Sequence, residues 1–416
     1  MDRPTDRASP PAPSRSYGLE RQMQIYLGGL ASHSEGSGEF TLSSGECRVP
    51  VQVELREEKA QAVLSRRAYD YVRGGAGSED TCRANLEAFR RWRIVPRMFR
   101  DVSRRDLSVE LLGLRLPAPV MLAPVGVQAI VHPEAELAVA RAARSCGIPF
   151  VLSTAASRPL EAVAEARGSA PSWYQLYWSR DPDLTASMVG RAERSGYAAI
   201  VVTLDTQVLG WRERDLSHPY LPFLDAEGLA NYFSDPVFRS HLPRPPEEDP
   251  AGAVRYWSSV YSHTALTWDD LRFLRRHTRL PILLKGILHP EDAALAVRYG
   301  VDGIIVSNHG GRQVDGSIAA LDALPGVVAA VKAARSEIPV LFDSGIRRGA
   351  DAVKALALGA RAVLIGRLFM WGLAIAGEQG VREVLMNFLA DFDLTLALSG
   401  YRSPGELGPS ALVREG

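Results

Sequence analysis

The sequence predicts an α/β protein whose core is a closed (β/α)8 barrel of the TIM type, with an N-terminal helical extension and a long lid after the fourth strand. Two observations predict it. From about residue 118 onward, eight short apolar runs alternate with Ala-rich stretches of helical spacing, and strand–helix alternation of this kind builds a parallel sheet. Polar and charged residues also gather at the C-terminal ends of those runs, the rim where such a barrel collects its reactive groups.

Residues 1–16 are rich in Pro, Ser and charge and read as a disordered lead. LERQMQIYLGGL (19–30) has the pattern of a short amphipathic element, and the Gly/Ser-rich stretch 31–47 that of a flexible connection. Residues 1–56 are therefore expected to form a partly disordered N-terminal extension. Residues 57–93 carry helical spacing interrupted at Gly74, Gly75 and Gly77, so 57–117 is expected to be a helical cap segment. The eight β-type runs are PVMLAP (119–124), PFVLS (149–153), SWYQLY (172–177), AAIVVTLD (198–205), PILLKG (281–286), GIIVSN (303–308), PVLFDS (339–344) and AVLIGR (362–367). The stretches AELAVARAARSCG, LTASMVGRAERSG, PEDAALAVRYG and GADAVKALALG lie between them, each ending in a glycine that stops a helix. Eight units favour closure over an open sheet. The barrel is expected over 118–400, with 401–416 as a C-terminal tail. About 75 residues separate the fourth and fifth runs, too many for a loop and one helix. Trp211, Tyr220, Phe223, Tyr232, Phe233, Phe238 and Trp257 in this stretch are unlike a linker, so residues 213–265 or thereabouts are expected to form an ordered lid.

The bulk properties narrow the function. A length of 416 residues suits one barrel with additions. Lys plus Arg (48) equals Asp plus Glu (48), which gives no basic excess for nucleic acid. Cys47, Cys82 and Cys146 have neither metal-ligand nor disulfide-framework spacing; no metal is expected. No run reaches the ~18–20 apolar residues of a membrane span, and the first residues lack the apolar stretch of a secretory signal. A cytoplasmic protein without membrane partners is expected.

The strand ends carry the chemistry. The third run delivers Gln175 and Tyr177, the fourth Thr203 and Asp205 with Arg212 close behind, the fifth Lys285. The sixth ends in Ser307-Asn308-His309-Gly310-Gly311-Arg312, the seventh in Asp343-Ser344-Gly345-Ile346-Arg347, the eighth in Gly366-Arg367. A lysine behind an apolar strand is more often functional than decorative. A histidine flanked by glycines suits close backbone approach, and a carboxylate such as Asp205 orients and charges an imidazole. Arg212 and Arg312 suit bidentate carboxylate binding. Glycine-bearing turns after strands seven and eight, with Arg347 and Arg367, stand where barrels place a phosphate.

SNHGGRQ (307–313), DSGIRRGADAVKALALGA (343–360), IGR (365–367), QLY (175–177) and TLDT (203–206) together resemble the FMN-dependent L-2-hydroxy acid dehydrogenase and oxidase family, over about Tyr69 to Arg402. The resemblance implies FMN across the barrel mouth. Ala123, Pro124, Val125 and Gly126 would back its ring; Ser153, Gln175, Thr203 and Lys285 would bond its polar edge. Ser307 would hold the ribityl chain, and Asp343, Ser344, Gly345, Arg347, Gly366 and Arg367 the phosphate. Arg212, Arg312 and Tyr71 (in YDYVRGGAGSED) would bind the substrate carboxylate, Tyr177 the 2-hydroxyl, and His309, paired with Asp205, would be the base. The implied partners are a small 2-hydroxy acid and O2, and the implied assembly a homotetramer or higher homo-oligomer. Departures from the family pattern are Leu368, where many members have Pro; Ala155, in place of a bulky aromatic; and residues 31–55, without a family match. TLDTQVLGWRERDLS (203–217), NYFSDPVFR (231–239) and APVGV (123–127) resemble the lactate 2-monooxygenase branch, which converts lactate and O2 to acetate, CO2 and water. An oxidase releasing 2-oxo acid and hydrogen peroxide, and a dehydrogenase on a specialised hydroxy acid, are the alternatives within the family. A non-catalytic scaffold and an FMN-dependent isomerase barrel are the alternatives outside it.

Overall fold

The computed structural model describes residues 16–28 and 48–415. Residues 1–15 of the expected lead and the whole 31–47 connection, Cys47 included, lie outside the described residues. Eight strands close into a parallel barrel in chain order: β1 Val120–Leu122, β2 Phe150–Ser153, β3 Ser172–Leu176, β4 Ile200–Thr203, β5 Ile282–Ile287, β6 Gly303–Val306, β7 Val340–Phe342 and β8 Ala362–Ile365. Each coincides with one of the eight apolar runs, β5 running one residue past its own. The pleat sends Met121, Val151, Trp173, Val201, Leu283, Ile305, Leu341 and Leu364 into the barrel interior. Their neighbours Val120, Leu152, Tyr174, Val202, Leu284, Ile304, Phe342 and Val363 join the shell of helices outside. Helices return the chain between strands, and Gly147, Gly196, Gly300 and Gly359 end them at positive φ, as their placement in the sequence predicts.

The segment expected to be a helical cap is helical only in its first half. Helices Val53–Val63, Arg66–Arg73 and Asp80–Arg90 are followed by a strand, Trp92–Ile94, and an antiparallel hairpin, Val109–Leu111 with Leu114–Leu116. The hairpin turns through Leu112 and Gly113, both at positive φ (49° and 77°), as a tight two-residue hairpin turn requires. Val109, Leu111 and Leu116 pack on the barrel interior and plug the end of the barrel opposite the site. The C-terminal tail is likewise structured: Leu412–Arg414 pairs with Trp92–Ile94. The amphipathic element at the N-terminus is a helix, Tyr17–Gly28. It docks on the final helix, Arg367–Leu398, through Gly18 N–H to Asp393 (2.8 Å) and Arg21 Nε to Asn387 (2.7 Å).

The long insertion folds into short helices, Glu213–Ser217, Ala230–Phe233, Pro236–Ser240 and Pro250–Val260. It is a fixed wall. Asn231, buried, donates to the carbonyls of Ser153 (3.2 Å) and Thr154 (3.0 Å) and accepts from Leu160 N–H (2.8 Å). Arg191, on the helix Pro182–Arg194, bonds Asp235 (3.0 Å) and the carbonyl of Asn231 (2.8 Å) from beneath. Phe223, Tyr232, Phe238 and Trp257 are buried, whereas Trp211 stands 70% exposed at the rim.

Candidate active site

The adjacent strands β4, β5 and β6 bring Asp205, Lys285 and His309 together. His309 Nδ1 lies 2.7 Å from Asp205 Oδ1 and 3.1 Å from Thr206 Oγ1. Lys285 Nζ lies 3.6 Å from Asp205 Oδ2 and 3.7 Å from Asp343 Oδ2. The backbone of His309, Gly310 and Gly311 runs at positive φ (56°, 65° and 77°), which is unusual for a residue with a side chain. Local bonds hold it there: His309 N–H to Ser307 Oγ (3.0 Å), Gly310 N–H to Ser344 Oγ (3.0 Å) and Gly311 N–H to Asn308 Oδ1 (3.1 Å). Asn308 exchanges paired amide bonds with Asn85 (2.8 and 2.7 Å), fastening the loop to helix Asp80–Arg90 of the cap.

Burial by itself would raise the Asp205 carboxyl, yet Lys285 and His309 beside it hold it well below the usual carboxylate range. Burial lowers the Lys285 ammonium, but Asp205 and Asp343 more than compensate, so it stays charged. For His309, burial and Lys285 outweigh Asp205, and the imidazole titrates below its ordinary range. It is therefore neutral at pH 7. With Nδ1–H donated to the Asp205 carboxylate, Nε2 is the free, basic nitrogen.

These groups border a cavity of about 1090 Å³, including its open mouth. Arg312 is anchored by one edge: Nη1 donates to the carbonyls of Tyr71 (2.6 Å) and Gly74 (2.8 Å). Its Cζ lies 5.1 Å from the Tyr71 ring centroid. Arg212 donates to Arg312 O (3.2 Å) and Gln313 Oε1 (2.9 Å). Burial, reinforced by Arg212, pushes Arg312 down to about 9, the signature of buried cations awaiting an anion. Tyr177 also lines the cavity, its hydroxyl pushed up to about 12 by burial, so it is a neutral donor.

The opposite half of the cavity meets the requirements of FMN. Ala123, Pro124, Val125, Gly126, Ser153, Lys285, Asp343, Ser344, Gly345, Arg347, Gly366 and Arg367 line it. Burial pushes Arg347 down to about 10, with Arg367 adding to the effect, so this half also wants an anion. Gln175 does not reach the cavity lining. Its Oε1 accepts from Ser153 Oγ (3.0 Å) while its Nε2 is buried without a partner among the described residues, a donor that a ligand carbonyl would satisfy. Thr203 and Ser307 stand one layer back, at or just beyond the strand ends. Asp205 is behind His309. Arg367 departs from a simple phosphate ligand: its nitrogens already donate to the carbonyls of Val72 (3.0 Å), Gly310 (2.9 Å) and Gly74 (2.9 Å).

Sequence reasoning missed several neighbours. Tyr261, half-buried at the end of the insertion with its ring 5.7 Å from that of Tyr177, lines the cavity. Thr206 bonds His309, and its place beside Asp205 in TLDT was the available signal. Gln313, the last residue of SNHGGRQ, bridges the β4 and β6 loops by donating to Asp205 O (2.8 Å) and Val208 O (2.9 Å). Gly126 is a matter of packing: a Cβ there would meet Ala155 O at 2.7 Å and Ala155 Cβ at 2.9 Å.

The chain has close counterparts. The pattern of the family described as FMN-dependent dehydrogenase matches residues 60–414. The L-lactate oxidase of Lysinibacillus sphaericus (strain C3-41) is 49% identical over 346 residues, covering 83% of this chain and 88% of the relative. The 2-hydroxyacid oxidase 1 of Homo sapiens is 42% identical over 352 residues, 83% and 91% of the two chains. Among solved structures, mandelate oxidase with (S)-4-hydroxymandelic acid aligns with a TM-score of 0.77 at 38% identity, covering 88% of this chain and 99% of that one.

Proposed function

Because the chain belongs to the FMN-dependent dehydrogenase family and is an FMN-dependent oxidoreductase of 2-hydroxy acids, we propose that it oxidises a short L-2-hydroxy acid to the 2-oxo acid and passes the electrons to O2, releasing hydrogen peroxide. The observation that carries this reading is a neutral His309 held by Asp205 at the edge of a cavity that Arg212, Arg312 and Tyr177 also border. Arg312, with one edge anchored, offers the other to the carboxylate; Arg212 and Tyr71 complete that pocket. Tyr177 donates to the 2-hydroxyl. His309 Nε2 takes the proton released as the second carbon is oxidised, and Asp205 stabilises the imidazolium that forms. Bound FMN would supply the two-electron acceptor: Ala123–Gly126, Ser153 and Lys285 would hold it, with Gln175, Thr203 and Ser307 just behind, and Asp343–Arg347 and Gly366 would take its phosphate, Arg367 lending positive charge. Lys285, kept charged by two carboxylates, favours negative charge in its vicinity.

A second reading is the monooxygenase outcome, in which the 2-oxo acid stays with peroxide and loses CO2. The packed aromatic wall around Phe223, Trp257 and Tyr261 favours it, since a closed chamber retains product. Anaerobic mixing of the purified yellow protein with L-lactate and longer L-2-hydroxy acids is expected to bleach the flavin. Aerobic turnover is then expected to yield one peroxide per 2-oxo acid. Acetate and CO2 without peroxide would establish the monooxygenase reading, and a flavin that no L-2-hydroxy acid bleaches would overturn both.

A further inference from the structure

Glu136 is the second residue of the helix Ala135–Cys146 and has no exposed surface. Its Oε1 accepts two backbone N–H bonds, from Ser157 (3.0 Å) and Gln128 (3.4 Å). Its Oε2 is buried with no partner among the described residues, and so is Oε1 of Gln128, whose Nε2 is spent on Val125 O (2.9 Å). A fully buried carboxylate oxygen with no donor is costly; protonation removes the charge that burial penalises.

We propose that Glu136 works as a neutral carboxylic acid, a positioning residue that ties the loop after β1 to the loop after β2 and so fixes the floor of the cavity. Its Oε1 accepts from both loops, and the unpartnered Oε2 carries the proton. The junction is continued by Val127 N–H to Ala155 O (2.8 Å) and Ala129 N–H to Ser157 Oγ (3.1 Å). Gly126 and Ala155, both in the cavity lining, stand immediately beside it. Arg158 draws on the carboxyl from outside, and its guanidinium is held by Pro133 O. Tyr197 is the other titratable side chain that feels its charge.

Burial raises the carboxyl to about 7, against the pull of the two amides, its own helix N-terminus and Arg158. The sign follows. A pKa raised above the unfolded value of 4.5 stabilises the fold fully below 4.5, and that contribution is lost as the pH rises through about 7. Ionisation leaves a charge under the cavity floor.

The test compares wild type with Glu136→Gln, which keeps the shape and cannot ionise. The Tm of the wild-type holoenzyme is expected to fall, relative to the variant, as the pH rises through neutrality, and the two are expected to converge in acid. The ratio of wild-type to variant kcat/KM should fall with a one-proton slope over the same range. Infrared spectra of the wild type alone, where no variant has to fold, should show a protonated-carboxyl band that fades through the same titration. A parallel Tm–pH course in both proteins, or no such band below neutrality, would overturn the proposal. The kinetic arm rests on the proposed reaction, but Tm and infrared bands do not, so failure of one is distinguishable from failure of the other.

Discussion

His309 spends conformational free energy to stand where it does. A left-handed backbone at a residue with a side chain costs about 1–3 kcal/mol, and here it turns the imidazole toward Asp205 while Gly310 and Gly311 carry the loop away. Replacing His309 with Gln is expected to leave FMN bound and to slow anaerobic flavin reduction by ~10²–10⁴-fold; stopped-flow absorbance measures it. Because burial and Lys285 lower the imidazole, the acid limb of kcat/KM is expected to have its midpoint below 6.5. Activity is full above that midpoint, where the base is free, and is lost as the pH falls through it. Arg312→Lys should raise KM for L-2-hydroxy acids and lower kcat, because an ammonium cannot both hold the carbonyls of Tyr71 and Gly74 and fork onto a carboxylate; steady-state kinetics decides. The chemical side chains were readable because a barrel exposes whatever follows each apolar run. Gln313 and Thr206 were not singled out, since their work is to bond backbone or another side chain, and a bonding partner far along the chain leaves no local pattern.

At the scale of elements, excess length and aromatic content identify the insertion after β4, but not how it is fastened. Its attachment depends on Asn231 and Arg191, polar residues whose partners lie on other loops. Asn231→Ala strips hydrogen bonds from the carbonyls of Ser153 and Thr154 and from Leu160 N–H. Leaving buried groups unpaired costs about 1–3 kcal/mol each, so a clear loss of stability in urea is expected, together with cleavage in 229–260 under limited proteolysis. Deleting the insertion would be a poorer test, because it would also take Phe223 and Tyr261 out of the cavity lining. The hairpin that plugs the barrel was legible in principle: SVELLGLRLP alternates with a period of two around a Leu-Gly turn. Its position after a run of helical spacing hid it. The eight strands were plain because each is a short apolar run with a polar rim after it, and Gly147, Gly196, Gly300 and Gly359 mark the ends of the helices before four of them.

For the molecule as a whole, the chain's two ends are joined across its sides. Arg105 bonds Asp393 through Nε (2.6 Å) and Nη2 (2.9 Å), and the same buried carboxylate takes the Gly18 N–H. Asp393→Ala leaves that arginine unpaired, and breaking a largely buried pair costs on the order of 3 kcal/mol; a lower denaturation midpoint, with the N-terminal helix released, is the expected outcome. Arg367 makes the same kind of connection at the mouth, clasping the carbonyls of Val72 and Gly74, from the first quarter of the chain, to that of Gly310. This has a consequence for biosynthesis. Chains are made from the N-terminus, and units made early usually fold early. Here the cap leaves the ribosome before the barrel yet has one fastening at the start of the helix that follows the last barrel strand, and the cavity wall runs from Tyr71 to Met370. A nascent chain arrested before Arg367 has all eight barrel strands but no clasp. Capture of FMN is therefore an event of the nearly finished polypeptide, and truncated translation products are expected to emerge colourless.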